Sequence, residues 1–232
     1  MALLDRLIAG LTRSLSRSGD YRSRYGRAYG WNSVDYRRNR RALWKGEMPI
    51  KFRELATRIP GTAVVDIGAA EGLLALELAA HKERVRAIDM TPRRHKTGCA
   101  LQRLWQSKGR GVHNLEMLLG DALDDPSLLD GFDTLVASRV IYYFGTRIDT
   151  FIVEAKKRVG FICLVGNASR NRRYEHGRVP GDVGANVVYS TSTGMRSLLE
   201  RHGFTIIEIG EAGDGVWCWK FEAVRGRPPG HP

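Results

Sequence analysis

The sequence predicts an α/β fold, a mostly parallel sheet with helices on both faces and a hairpin closing the chain. Three observations point to it. Apolar runs of five to seven residues recur between residues 63 and 165 with helical patterns between them, as buried parallel strands joined by crossover helices require. The first run stops at a small-residue turn, Gly68-Ala69-Ala70-Glu71-Gly72, and restarts at Leu73 as an apolar helix. Two later runs, 204–209 and 216–224, flank a glycine-rich turn, with Trp217, Trp219 and Phe221 alternating toward one face.

Length and composition narrow the class. A chain of 232 residues supports one good-sized core with a terminal extension, and 43% apolar with 27% charged residues describes a globular protein. No apolar run reaches the roughly 18 residues of a membrane-spanning helix. The start, where Asp5 and Arg6 interrupt the leucines, does not read as a secretory leader. Cys99, Cys163 and Cys218 are odd in number and far apart, so a reducing cytoplasm is expected, with the thiols as core filler. Neither C-x-x-C nor H-E-x-x-H spacing occurs, and no metal ligands are assigned.

The net charge of +12 is concentrated at the front, where residues 1–58 hold 14 Lys or Arg against 5 Asp or Glu. Such a block attracts an anion, whether nucleic acid, phosphate-bearing glycan or lipid surface, or it is simply a solvated face. Leu3, Leu4, Leu7, Ile8, Leu11 and Leu15 form one stripe of a short helix that docks on the protein body, a second subunit or an anionic membrane surface. Residues 16–39, rich in Arg, Tyr, Gly and Ser, have too few aliphatic side chains for a core; they are expected to be a mobile or conditionally ordered arm whose aromatics and arginines can stack on bases or sugars. A helix over 51–58 turns Phe52, Leu55 and Ala56 inward with Ile59 behind them, and Pro60-Gly61 ends it.

In the turn at 68–72 the side chains are small enough for a ligand to lie against the backbone, and the following helix directs its free N–H groups there. A dinucleotide turn would need glycine at 70 and 73, where Ala70 and Leu73 stand. The stretch resembles instead motif I, D-x-G-x-G-x-G, of the class I S-adenosylmethionine (SAM) dependent methyltransferases, with Asp66, Gly68 and Gly72 matched and Ala70 in place of the middle glycine. The resemblance implies a Rossmann-like seven-stranded sheet with an antiparallel last strand, SAM as cofactor, a turn including Ala69 that cradles its amino acid end, and Asp66 holding its ammonium.

The strand over 85–89 ends in Asp89, 21 residues after Gly68, where a ribose needs a carboxylate to accept two hydroxyl protons. The family places the SAM ribose there, with Met90 against the adenine. Thr91-Pro92 opens a helix to about Ser107, threonine as cap and proline in the first turn. Arg93, Arg94 and Lys96 oppose that helix's dipole, which marks them as candidates for contact with an anionic acceptor. The strand over 115–119 runs into Gly120-Asp121-Ala122, resembling the family's third strand, and this implies that Asp121 and the Ala122 backbone meet the adenine. Residues 132–138 resemble the fourth strand and 139–144 the segment after it. The crevice of an open α/β sheet lies between the first and fourth strands, so Ser138 lines the cofactor site and the residues past it face the transferable methyl. A helix near 147–158 and a strand over 161–165 follow, then a basic insertion, 167–178, expected to be an acceptor-recognition loop. Thr193 is expected to cap a helix that Gly203 stops.

The likeness spans residues 51–224, leaving 1–50 as a basic extension in the position of a lid and 225–232 as a disordered tail. A local likeness over 44–144 runs toward methyltransferases of the tRNA wobble uridine type, broken at Tyr143, where many relatives carry histidine. Methyl transfer from a sulfonium is an in-line displacement, which demands alignment above all. A hydroxyl acceptor would call for a base, and the candidates are His95, His176 and Tyr143, the last better suited to orient, given tyrosine's ordinary pKa of ~10. The expected activity is O-methylation of a small-molecule or glycan-type anionic acceptor. RNA methylation through the basic arm, and SAM binding without turnover, are the alternatives.

Overall fold

A period of two in the apolar runs decides which side of the sheet each residue enters. In the computed structural model, which describes residues 34–166, 189, 191–212 and 221–231, the strands β1 (Ala63–Ile67), β2 (Arg84–Asp89), β3 (Leu115–Leu119), β4 (Thr134–Ser138), β5 (Phe161–Val165), β6 (Thr205–Ala212) and β7 (Phe221–Arg227) form one sheet in the order β3-β2-β1-β4-β5-β7-β6. Val64, Val85, Ala87, Val136, Cys163 and Val165 enter one core cluster; Val65, Ile67, Ile88, Leu135, Ala137, Ile162 and Leu164 enter another on the opposite face. Helices α1 (Val34–Lys45), α2 (Ile50–Arg58), α3 (Leu73–Leu78) and α4 (Pro92–Ser107) supply Leu43, Leu55, Leu76 and Leu101 to the first; α5 (Ile148–Lys156) and α6 (Ser192–Arg201) supply Ile152 and Leu198 to the second. With both faces covered, the inner strands read as unbroken apolar runs.

Pairings β1–β2, β1–β4, β2–β3 and β4–β5 are parallel, while β7 runs antiparallel to both β5 and β6. The strand order therefore reverses between β1 and β4, and the C-terminal ends of these two strands are where open α/β sheets place their ligand crevice.

Three expectations are corrected. The sheet does not end at Val224 with a disordered tail from 225, because β7 continues to Arg227. Arg225 and Gly226 pair with Cys163 and Ile162 of β5, Arg225 forms an ion pair with Glu208 of β6, and the Arg227 guanidinium lies 5.5 Å from the centroid of the Phe161 ring. The arm expected over 16–39 gives way to helix from Val34, and α1 buries Leu43 completely in the first cluster. The cap of α6 is Thr191, whose Oγ1 accepts the Gly194 N–H at 2.9 Å, while Thr193 is exposed. Thr191→Ala should accordingly cost about 1 kcal/mol in denaturant unfolding, and Thr193→Ala less than about 0.5 kcal/mol.

Cys163 is buried on β5, where the apolar surroundings push its thiol up to about 12, and Cys99 is half-buried on α4. The N-terminal leucine stripe, the aromatic and arginine arm up to Trp31, the 167–178 insertion with His176, and Cys218, Trp217 and Trp219 lie outside the described residues. Among those described, no helix is long and apolar enough to cross a membrane.

Candidate active site

The candidate site is built from the chain's exits out of β1, β2, β3 and β4. Asp66, next to last in β1, is 2% exposed, and its Oδ1 has no hydrogen-bond partner among the described residues. Burial, reinforced by the negative charge of Asp89, pushes its carboxyl up to about 8. The turn after β1 then takes the left-handed backbone at three alternate positions, Gly68, Ala70 and Gly72. Gly68 has φ of +61°, and a Cβ there would stand 2.4 Å from Val140 Cγ2, so only glycine lets the exits of β1 and β4 approach this closely. Ala69 donates its N–H to the Ile88 carbonyl, Ala70 has φ of +56°, and Gly72, with φ of +72°, is the N-cap of α3.

Ala70 thus holds the left-handed conformation at the position where motif I has its middle glycine. A side chain in that region costs roughly 1–2 kcal/mol. Ala70→Gly should raise unfolding stability by about 0.5–1 kcal/mol, the larger backbone entropy of unfolded glycine offsetting part of the relief, and leave ligand affinity within about threefold. A loss of stability in the denaturant titration would show that the turn is not strained.

Asp89, at the end of β2, is 6% exposed. Its Oδ2 accepts the Ala70 N–H and its Oδ1 the Thr91 N–H, each at 2.8 Å, so one carboxylate ties the β1 turn to the start of α4. The Thr91 hydroxyl also bonds to Asp89, and Thr91 makes no side-chain cap to the helix. Arg94 reaches from the first turn of α4 to place Nη1 4.0 Å from Asp89 Oδ2. The cations at this helix entrance, expected to answer to an acceptor, are therefore offset in part by a carboxylate of the protein itself.

Past β3, the Gly120 N–H donates to the Asp89 carbonyl, Asp121 Oδ1 accepts the Leu123 N–H at 3.0 Å, and Arg147 Nη2 approaches Asp121 Oδ2 to 3.7 Å. Ala122 is buried in the second core cluster. Ser138 ends β4 half-buried, and Arg139 follows with φ of +60°, its N–H donating to the Val165 carbonyl at 2.7 Å. Tyr143 is half-buried against the second cluster. His95 Nε2 lies 3.1 Å from the Met117 carbonyl, a contact that only the tautomer with hydrogen on Nε2 satisfies, and 3.6 Å from Cys99 Sγ.

The structure brings Asp66, the 68–72 turn and Asp89 together and sets Asp121 beyond the adjoining strand end. It ties His95 to the edge strand. Three contributors escaped the sequence reading: Arg94 as partner of Asp89, Val140 as the neighbour of Gly68, and Arg139 with its strained backbone. Only the crowding of Arg93 and Arg94 at a helix start could have signalled the first. A buried acid with an unpartnered oxygen, beside a turn that admits no side chain at Gly68, suits a cationic amino group, and a carboxylate with acceptor capacity to spare suits a vicinal diol. Those are the two ends of an amino acid nucleoside such as SAM.

No family model matches the chain and no curated protein sequence matches it. Solved structures do match. Magnesium protoporphyrin IX methyltransferase from Synechocystis PCC 6803 with bound SAM is 14% identical, with a TM-score of 0.55 over 95% of this chain and 90% of that one. The N-methyltransferase NodS from Bradyrhizobium japonicum WM9 in complex with S-adenosylhomocysteine is 21% identical, with a TM-score of 0.54 over 96% and 98%. A SAM-dependent methyltransferase from Aquifex aeolicus is 14% identical, with a TM-score of 0.52 over 80% and 91%. The fold is the class I, Rossmann-like fold of these methyltransferases, with the seventh strand antiparallel.

Proposed function

We propose that the chain is a SAM-dependent methyltransferase whose acceptor is a small or glycan-type anion methylated at oxygen. The observation that supports it most is the buried Asp66 Oδ1, without a partner among the described residues, beside a turn that admits no side chain at Gly68, at the strand-order reversal where the fold binds ligands. Asp66 would hold the cofactor's ammonium, Asp89 its ribose, Asp121 its adenine amino group, with Met90 and Ala122 beside the base and Ser138 on the floor. SAM, when bound, supplies a methyl already activated by a sulfonium.

What falls to the chain is binding, alignment and exclusion of water. Tyr143, beyond the end of β4, is the orienting group of this reading. His95 donates through Nε2 to a main-chain carbonyl of the edge strand, which leaves its lone pair on Nδ1 and keeps it, with His176, a candidate base for a hydroxyl acceptor. An anionic acceptor suits the chain's charge of +12. The basic α1, with Arg37, Arg38, Arg40, Arg41 and Lys45 against the single acid Asp35, favours RNA as the second reading.

Incubation with methyl-labelled SAM and cell extract separated into nucleic acid, lipid, glycan and small-molecule fractions tests both. Label in the glycan or small-molecule fraction is the expected result. Label in RNA, with binding that falls steeply as salt rises, would select the second reading. Tight SAM binding with no labelled fraction would leave a binding protein.

A further inference from the structure

We propose that Arg94 is the positioning residue of the diol-binding carboxylate, a cation that keeps Asp89 ionised without occupying any of the lone pairs the ligand needs. The inference rests on the SAM-binding reading above. Its starting point is that Arg94 stands where a cation is disfavoured. It is in the first turn of α4, where the helix dipole is positive and no acidic residue is present, and it is 9% exposed, so it bears a dipole penalty and a desolvation penalty together. The Asp89 carboxylate offsets part of both, its Oδ2 4.0 Å away and its side chain 6% exposed.

The separation matters as much as the charge. At 4.0 Å the guanidinium is beyond hydrogen-bond range, so its influence on Asp89 is electrostatic. An ionised carboxylate has about four acceptor positions. Main-chain donors take one on each oxygen, Thr91 N–H on Oδ1 and Ala70 N–H on Oδ2. One position per oxygen then remains, shared for now with the Thr91 hydroxyl, a rotor that can turn aside. A guanidinium in direct contact would have consumed that capacity.

The titratable groups on the elements around Asp89 are Asp66 from β1, Glu71 from the turn, Arg93, Arg94, His95 and Lys96 from the first turn of α4, Glu116 from β3 and Asp121 past it, and of these Arg94 and Asp66 interact with its charge. Burial raises the Asp89 carboxyl on balance, and Arg94 is foremost among the influences that oppose the rise, ahead of the bonds from Thr91 and Ala70. Without Arg94, Asp89 would be left beside the buried Asp66 carboxyl. A proton taken up there would turn one of the oxygens from acceptor into donor and weaken the hold on a diol.

The test is calorimetric titration of S-adenosylhomocysteine into the wild type, Arg94→Met and Arg94→Lys from about pH 6.5 to about pH 9. We expect Arg94→Met to bind roughly tenfold more weakly than wild type at the acid end, with the gap closing to about threefold at the alkaline end as Asp89 ionises unaided, and Arg94→Lys to stay within about threefold throughout. A deficit in Arg94→Met that is the same at every pH, or absent at the acid end, would overturn the assignment and leave the SAM reading standing. Failure of the wild type to bind at any pH would remove both. Carboxyl carbon NMR of the unliganded wild type gives a check that needs no variant: Asp89 should remain ionised across this range, and its titration within it would equally overturn the proposal.

Discussion

Asp66→Asn should flatten the pH dependence of stability and lower SAM affinity by roughly a hundredfold, the scale of losing one member of a buried ion pair. The folded carboxyl, pushed up to about 8, retains its proton over a range in which the unfolded chain, with an ordinary value of 3.8, has lost it. The folded state then binds more protons, so no penalty exists below about pH 4, stability falls at up to ~1.4 kcal/mol per pH unit between the two values, and the full cost persists above about pH 8. Asparagine is neutral throughout and removes that slope, at the expense of an imperfectly bonded amide worth about 1–3 kcal/mol. Denaturant titrations at about pH 5 and about pH 9 measure this: wild type should lose several kcal/mol more than the variant between the two. Parallel losses would mean that Asp66 does not titrate in this window.

The same carboxyl predicts how the ligand binds. A cationic ligand amino group requires ionised Asp66, so affinity should rise with pH up to about 8. The ligand's own amino group loses its charge near ~8, which turns the rise into a bell. Between about pH 6 and the optimum the gain should be roughly twentyfold, and Asp66→Asn should lose the acid limb of that curve. An acid that destabilises the empty protein and is satisfied by the ligand is a common division between folding and function.

Most of the fold was legible because it is encoded in redundant signals. Each inner strand is both apolar and bounded by turn residues, and Asp66, Asp89 and Asp121 mark the ends of neighbouring strands, an order that motif reading can follow. What escaped depends on geometry that one dimension does not hold. Thr191 and Thr193 are equally good caps as residue types, and only the backbone's entry angle selects the first. Arg225 and Arg227 look like a charged tail until Glu208 and the Phe161 ring stand across from them. Ala70 looks like a harmless exchange for glycine until its φ is known. Arg94 looked like a cation waiting for a ligand, since nothing in the sequence says that the carboxylate five positions earlier folds back beneath it.

Gly68→Ala should be the most damaging single methyl in the site, at roughly 2–5 kcal/mol of stability. Two terms add: the left-handed backbone, at about 1–2 kcal/mol for a non-glycine residue, and overpacking, at about 1–3 kcal/mol, because the new Cβ would meet Val140 Cγ2 at 2.4 Å and Val140 Cβ at 2.9 Å. The terms separate in a double-mutant cycle. Val140→Ala removes the nearer atom and leaves the farther one, so Gly68→Ala/Val140→Ala should recover about 1–2 kcal/mol relative to the sum of the single changes, with the backbone cost remaining. Strict additivity in the denaturant titrations would show that the two exits do not touch as described. The functional consequence follows from what Val140 adjoins: Arg139, with its strained backbone, precedes it, and its carbonyl accepts the Tyr143 N–H at 2.8 Å. Pushing Val140 aside displaces the segment assigned to the acceptor, while widening of the turn loosens the bed assigned to the cofactor. Gly68→Ala should therefore weaken S-adenosylhomocysteine binding and methyl transfer together, and the Val140→Ala partner change should restore part of both.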